Sequence, residues 1–256
     1  MNARTTERWA PVVTAIALLI LWQLVCSLFK IADFIFPSPI TIVQAMIEFA
    51  GPIGEAAWKT FWVTMIGFAI AIVVGVLLGF LVGSSRLAYA AVYPLLVGFN
   101  AVPKAAIVPI LIVWFGIGIG PGILTAFLIS FFPITVNIAT GLATLEPELE
   151  DVLRVLGAKR WDVLIKVGLP RSMPYFYGSL KIAITLAFVG TVISEISASN
   201  AGIGYLMMSA SSSLKTALMF AGVIVISVMA MVMYELFAWI EMRMTGWAHR
   251  GQQANA

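Results

Sequence analysis

From Trp9 to Phe29 the chain runs for 21 residues without a single charge, and apolar runs of similar length return at intervals to its end. They cover Thr60 to Gly83, Tyr89 to Phe115, Ile123 to about Leu142, Tyr175 to about Ile196 and Thr216 to about Ile240. About 20 apolar residues carry one helix across the hydrocarbon core of a bilayer. In lipid the backbone must satisfy its own N–H and C=O groups, so a single segment can cross only as a helix. The chain therefore reads as an all-α membrane protein with about six transmembrane helices. Composition excludes the soluble alternative: 61% of the residues are hydrophobic and 11% charged, against about 25% charged in an ordinary soluble domain.

The first run follows Arg4, Glu7 and Arg8. It is longer than the roughly 7 to 15 residues of a signal-peptide core and has no small-residue cleavage site after it, so it is expected to stay as an anchor. In Phe36-Pro37-Ser38-Pro39, Ser38 is placed to cap a helix and Pro39 to begin it. Ile40, Val43, Ile47 and Ala50 then recur at helical spacing beside polar Gln44 and Glu48, which predicts a short amphipathic helix at the membrane surface. In the second run Gly75, Gly79 and Gly83 fall four residues apart and form a flat ridge for close helix packing. Pro94, Pro103 and Pro109 interrupt the third, so a kinked or broken span is expected there. Gly116 to Gly122 reads as the turn into the fourth span, and the residues before Lys215 as a Ser/Gly-rich loop into the sixth.

Charge sets the orientation. With six spans and a cytoplasmic amino terminus, the inside carries Arg4, Arg8, Arg86, Arg154, Lys159, Arg160, Lys166, Arg171, Arg243 and Arg250, against Lys30, Lys59 and Lys215 outside. Lys and Arg gather on the cytoplasmic side of membrane proteins, so both termini and the polar stretch 143–174 are expected there. The same asymmetry accounts for the net charge of +3 without a nucleic-acid partner. Cys26 is the one cysteine and His249, in the polar tail, the one histidine, so no disulfide and no metal site are expected.

Within the cytoplasmic stretch Leu149, Val152, Leu153 and Leu156 follow helical spacing, and Trp161, Leu164, Ile165 and Gly168 repeat it beyond Gly157. This predicts two short amphipathic helices joined by a glycine turn, with Pro147 starting the first and Pro170 stopping the second. The order Asp151-Val152-Leu153, three residues, Gly157, nine residues, Val167-Gly168-Leu169-Pro170 resembles the Glu-Ala-Ala loop of binding-protein-dependent ABC importer permeases. That family has Glu-Ala-Ala, three residues, Gly, nine residues and Ile-x-Leu-Pro; here Asp151, Val152-Leu153 and Val167 depart from it and make the docking face bulkier. Phe36-Pro37-Ser38-Pro39, Pro109 with Trp114-Phe115-Gly116, Phe132-Pro133-Ile134, Leu156-Gly157-Ala158, Glu195 and Gly202-Ile203-Gly204 are similar to the nitrate/sulfonate/taurine branch.

The resemblance implies a type I ABC importer permease fold, with an anchor and interfacial helix over 1–55, the permease domain over 56–243 and a polar tail over 244–256. It also implies a second copy of the permease, two ABC ATPase subunits and an extracytoplasmic substrate-binding protein as partners. The ATPase-coupling loop would comprise Asp151, Val152, Leu153, Leu156, Gly157, Ala158, Lys159, Arg160, Trp161, Leu169 and Pro170. The chain has no phosphate-binding Gly-rich loop ending in Gly-Lys-Ser/Thr. It is therefore expected to be no enzyme and to hold no cofactor, with ATP and Mg bound by the partner ATPase. The implied substrate is a small anion or sulfonate-like solute, or a small heterocyclic vitamin precursor.

Polar residues inside the spans are the candidates for a path or gate: Asn100, Lys104, Asn137, Thr140 and Glu195. For an anionic solute Lys104 is the natural attraction. Glu195 is read either as part of an outer gate or binding-protein contact, or as an ordinarily solvated interfacial residue. Lys181 and Glu235 are candidates for an intramembrane pair, with a snorkelling Lys181 as the alternative. An ion-coupled secondary transporter is the rival reading, because broken helices and buried charges suit it too. The cytoplasmic elbow argues against it, since such a carrier has no motor to dock.

Overall fold

The computed structural model describes residues 3–144, 152–153 and 155–253. In chain order the elements are α1 (Ala3–Leu28), α2 (Pro39–Glu48), α3 (Ala50–Gly83), α4 (Arg86–Ala101), a 3-10 turn (Lys104–Ile107), α5 (Val108–Phe115), α6 (Ile119–Ala143), α7 (Arg160–Val163), a π turn (Leu164–Gly168), α8 (Leu169–Ala198), α9 (Ile203–Ser212) and α10 (Thr216–Gln253). Five helices are long and apolar enough to cross a bilayer, and counting α4 with α5 as one bent span makes six.

The centre of the molecule is a stack of α3, α6 and α8, with α6 in the middle. Lipid tails are as apolar as leucine, so helices in a membrane associate through close packing rather than through escape from water. The sequence meets that demand with small residues on both sides of α6. A Cβ on Gly79 would stand 2.8 Å from the Ile138 Cβ and the Thr135 carbonyl oxygen, and one on Gly75 or Gly83 would come within 2.9 Å of Ile134 or Ala139. From the other side Gly190 meets α6 in the same way, 2.8 Å from the Thr125 carbonyl oxygen. Phe68, Phe131, Ile134, Ile184 and Phe188 fill the remaining space.

The third span breaks as its prolines require. Pro103 pushes Val102 to an extended conformation (φ −65°, ψ 127°), which ends α4, and the chain resumes at 77° to its former course. Pro133 and Pro174 are carried inside α6 and α8.

A second, smaller core lies at the end of the bundle where α8 finishes. Ile42, Ile53, Ala56, Ile203, Ala210, Leu218 and Ala221 bring α2, α3, α9 and α10 together there. The Ser38 hydroxyl accepts from the Thr41 N–H at 3.3 Å and Pro39 opens α2, as the sequence predicts. Ile42 and Ala45 form the buried face of α2, while Ile40, Val43 and Ile47 point outward. α1 packs chiefly on α2, its Trp22 ring also lies 6.2 Å from Phe220 of α10, and most of its apolar side chains remain uncovered.

Several boundaries differ from the sequence reading. α6 begins at Ile119, within the Gly116 to Gly122 segment read as a turn. α3 begins ten residues before Thr60, at Ala50. The segment before Lys215, read as a loop, contains α9, because Ile203, Met207 and Ala210 form an apolar stripe that the neighbouring serines mask in composition. α10 continues past Ile240 to Gln253, so much of the expected tail is helical.

Candidate functional site

At the end of the bundle where α3 and α6 finish, Gly157 turns the chain with φ +87°. The Ala158 N–H donates to the Leu153 carbonyl oxygen at 3.0 Å, the 6→1 bond that closes a helix whose next residue is left-handed. α7 then starts at Arg160, and the Asp162 carboxylate reaches back to accept from the Lys159 N–H at 3.2 Å, one half of a capping box. Asp162 also pairs with Lys166 one turn on, at 3.3 Å. Of the expected first helix the described residues include Val152, Leu153 and Val155, which are helical up to the Gly157 turn; Asp151, Arg154 and the segment that contains Pro147 lie outside them.

The second arm differs from expectation. Pro170 does not stop it but sits in the first turn of α8, so the chain stays helical from Arg160 to Ala198. The π turn makes this feasible: the Leu169 N–H bonds to the Leu164 carbonyl oxygen, five residues back, which shifts the ladder just before the proline. Val163, Leu164 and Gly168 face the bundle, whereas Trp161 and Ile165 stay exposed. The Trp161 ring stacks on Phe80 with centroids 6.0 Å apart, tying the elbow to the end of α3. Val152, Val155 and Leu156 project away from the bundle, and Leu156 is 77% exposed. Lys159 and Lys166 flank them. Apolar side chains beside charges at the tip of a membrane bundle suit a protein partner better than lipid.

The candidates for the path fall in two places. At the bend between α4 and α5, the Lys104 ammonium donates to the Asn100 side-chain oxygen at 2.7 Å and also to the Asn100 carbonyl. Lys104 thus sits at the bend itself, after the 16 residues of α4 and before the 8 of α5. On α6 the Asn137 amide donates to the Pro133 carbonyl at 2.8 Å, and Thr140 lies 3.5 Å from the Tyr89 hydroxyl of α4.

Glu195 is not an ordinarily solvated interfacial residue. It is 4% exposed, and Thr60 on α3 stands 2.8 and 3.0 Å from its two carboxylate oxygens. The Gly204 N–H donates to the same carboxylate at 2.9 Å, and the Ile203 N–H donates to the Thr60 hydroxyl at 2.8 Å. These are the first free N–H groups of α9, whose own cap residue, Gly202, has no side chain. One turn deeper Thr64 donates to Thr191 at 2.8 Å. Sequence reasoning missed Thr60, Thr64 and Thr191. The signal was there: Thr60 with Thr64, and Thr191 with Glu195, are polar pairs four residues apart on otherwise apolar helices, and such pairs share a face.

The expected pair of Lys181 with Glu235 is corrected. Lys181 on α8 pairs instead with Glu241 on α10, and the ammonium also lies 6.0 Å from the Tyr234 ring. Glu235 is exposed: it lies six residues from Glu241, which at 3.6 residues per turn puts it about 120° around α10, on a different face. Among the described residues no group of three or more His, Cys, Asp and Glu side chains could hold a metal ion.

Among the described residues, three cavities lie at the end opposite the elbow. One of about 330 Å³ lies between α2 and the start of α10, with Asp33, Glu48 and Lys215 on its walls. A second, of about 300 Å³, lies beside α9, with Glu55, Lys59 and Tyr205. The third, about 50 Å³, reaches Glu195 itself.

A bent span and a glycine-ridged stack of long apolar helices describe a multi-pass, all-helical membrane protein. Residues 71–246 match the family described as binding-protein-dependent transport system inner membrane component, and the chain belongs to that family. A probable ABC transporter permease protein of Haemophilus influenzae is 32% identical over 90% of this chain and 94% of its own length. The formylaminopyrimidine transport permease protein of Halalkalibacterium halodurans is 28% identical over 95% and 98%. A putative aliphatic sulfonates transport permease protein of Bacillus subtilis is 28% identical over 89% and 83%. Taurine and nitrate permeases are also among its relatives, in agreement with the branch that the motifs resemble. The fold matches a chain of the MetNI methionine ABC transporter with a TM-score of 0.67 at 16% identity, over 77% of this chain and 98% of that one.

Proposed function

We propose that the chain forms the translocation path of an ATP-driven importer and takes its power stroke through the elbow around Gly157. The observation that carries this is the exposed apolar tip of the elbow, Val152, Val155 and Leu156, beside a Trp161 ring stacked on α3. A motor gripping that tip pulls on the ends of α3 and α8 together. Two copies of the chain would sit on two ATPase subunits, which bind ATP and Mg, and an extracytoplasmic binding protein would deliver the solute. α4 buries none of its residues within one copy, which supports a second copy against it. In this arrangement 56–243 is the working domain, with 143–174 as its coupling loop.

A small anion or sulfonate-like solute fits best, because Lys104 at the bend has Asn100 rather than a carboxylate as its partner. The name of the Halalkalibacterium halodurans relative favours a neutral heterocycle as the second reading. Replacing Lys104 by Glu separates the two: uptake of an anion collapses, whereas uptake of a neutral solute persists.

The importer reading is tested by purifying the chain from its native membrane and measuring ATP hydrolysis with and without Gly157→Pro. Proline holds φ near −65° and cannot adopt the +87° of Gly157. An ATPase subunit should accompany the parent chain, and the substitution should abolish its binding or its coupling to transport. A chain that purifies without any nucleotide-binding partner and moves solute down an ion gradient would make the secondary-carrier reading correct.

A further inference from the structure

The molecule has two cores, one in the central helix stack and one in the cap made by α2, α9 and the start of α10. The Glu195–Thr60 cluster stands between them. A helix start is normally capped by its own N-terminal residue, but α9 takes its cap from two other helices: the Thr60 hydroxyl receives the Ile203 N–H and the Glu195 carboxylate receives the Gly204 N–H. The surrounding turn is shaped to that carboxylate. Gly202 has φ +97°, and a Cβ there would stand 2.1 Å from a Glu195 oxygen. A carboxylate at a helix N-terminus also favours the positive end of the helix dipole.

Space lies on both sides of this contact. Ala201 lines the 50 Å³ cavity that reaches Glu195 and also the 300 Å³ cavity beside α9. The joint between the two cores thus combines directed bonds from α9 to Thr60 and Glu195 with close packing of α9 on α8, where a Cβ on Gly204 would stand 2.8 Å from the Val192 carbonyl oxygen, and cavities border it.

We propose that Glu195 is the positioning residue of an outer gate: its carboxylate clasps the start of α9 to α3 in the closed state, and the clasp opens when the importer turns outward. This rests on the importer reading. A conformational change needs contacts that differ between the two states, and the bonds that run through Thr60 and the Glu195 carboxylate are lost together if α9 separates from α3. Glu195 lies 26 residues along the helix from Leu169, about 39 Å at 1.5 Å per residue, so α8 links the elbow rigidly to the clasp.

The test uses the assembled importer, with its ATPase and binding protein, carrying Ala201→Cys as reporter and a membrane-impermeant maleimide as probe; the native Cys26 is buried. In the parent, labelling is slow at rest and accelerates when the ATPase is trapped in its ATP-bound form. Glu195→Gln labels at rest about tenfold faster, the change that corresponds to about 1.4 kcal/mol on the clasp, and loses uptake while the ATPase subunit stays bound. Thr60→Val follows Glu195→Gln, and Thr60→Ser, which keeps the hydroxyl, follows the parent. If Glu195→Gln does not assemble, Thr60→Val decides by the same two readings. Equal labelling of the parent at rest and when trapped, or unchanged labelling in the variants, overturns the proposal and makes the cluster a fixed strut. Failure of the importer reading looks different, since then no ATPase subunit is present in the parent assembly.

Discussion

Lys181 shows how a charge is kept inside a membrane protein. It faces Glu241, with side chains 22% and 14% exposed, and the aromatic ring of Tyr234 lies nearby. Removing one partner leaves the other without compensation at a depth where water is scarce. Lys181→Met and Glu241→Gln should each lower stability in detergent by about 1–3 kcal/mol, less than the ~3–5 kcal/mol for breaking a fully buried pair because both side chains keep some exposure. The double substitution should lose less than the sum of the two, which a double-mutant cycle of thermal unfolding reads directly. Glu235→Gln should leave the unfolding midpoint unchanged; a loss equal to that of Glu241→Gln would restore the pairing expected from sequence.

The elements show where sequence pattern is informative. The glycine spacing on α3, the prolines of the third span and the Ser38-Pro39 start of α2 were all legible, because each acts through backbone geometry that local residues decide. Gly79→Val tests the first of them. With a Cβ already 2.8 Å from backbone on α6, the substitution should push α3 and α6 apart and destabilise by about 1–3 kcal/mol, the usual effect of overpacking. A Gly51→Val control, where a Cβ meets nothing within 4 Å, should cost little. Pattern fails where partners come from elsewhere in the chain. α9 was hidden because its serines suggested a loop while its stripe packs on α2 and α10. The pairing of Lys181 depended on which face of α10 turns toward α8, and near Glu235 a slip of one turn or two is invisible in hydropathy. The Glu195 cluster joins residues 135 apart in sequence, so the polar pairs on α3 and α8 could mark a face but could not name its partner.

At the scale of the whole molecule, the elbow and the clasp occupy opposite ends of one helix stack, with the bent span between them. Force applied at Trp161 passes into α3 by its stacking on Phe80 and into α8 by the continuous helix that begins at Arg160. Both of those helices meet again at the Glu195–Thr60 contact, near the end of α8 and ten residues from the start of α3. That layout supports the proposal that a separate motor drives this chain through its elbow. The most direct measurement is uptake by the purified assembly reconstituted in lipid vesicles, with a binding protein and labelled sulfonate, taurine and nitrate outside, comparing ATP on the motor side with an imposed proton or sodium gradient. ATP-dependent accumulation of at least one of these solutes, lost in Gly157→Pro, is the predicted result. Accumulation driven by the ion gradient, without ATP and indifferent to Gly157→Pro, would contradict it.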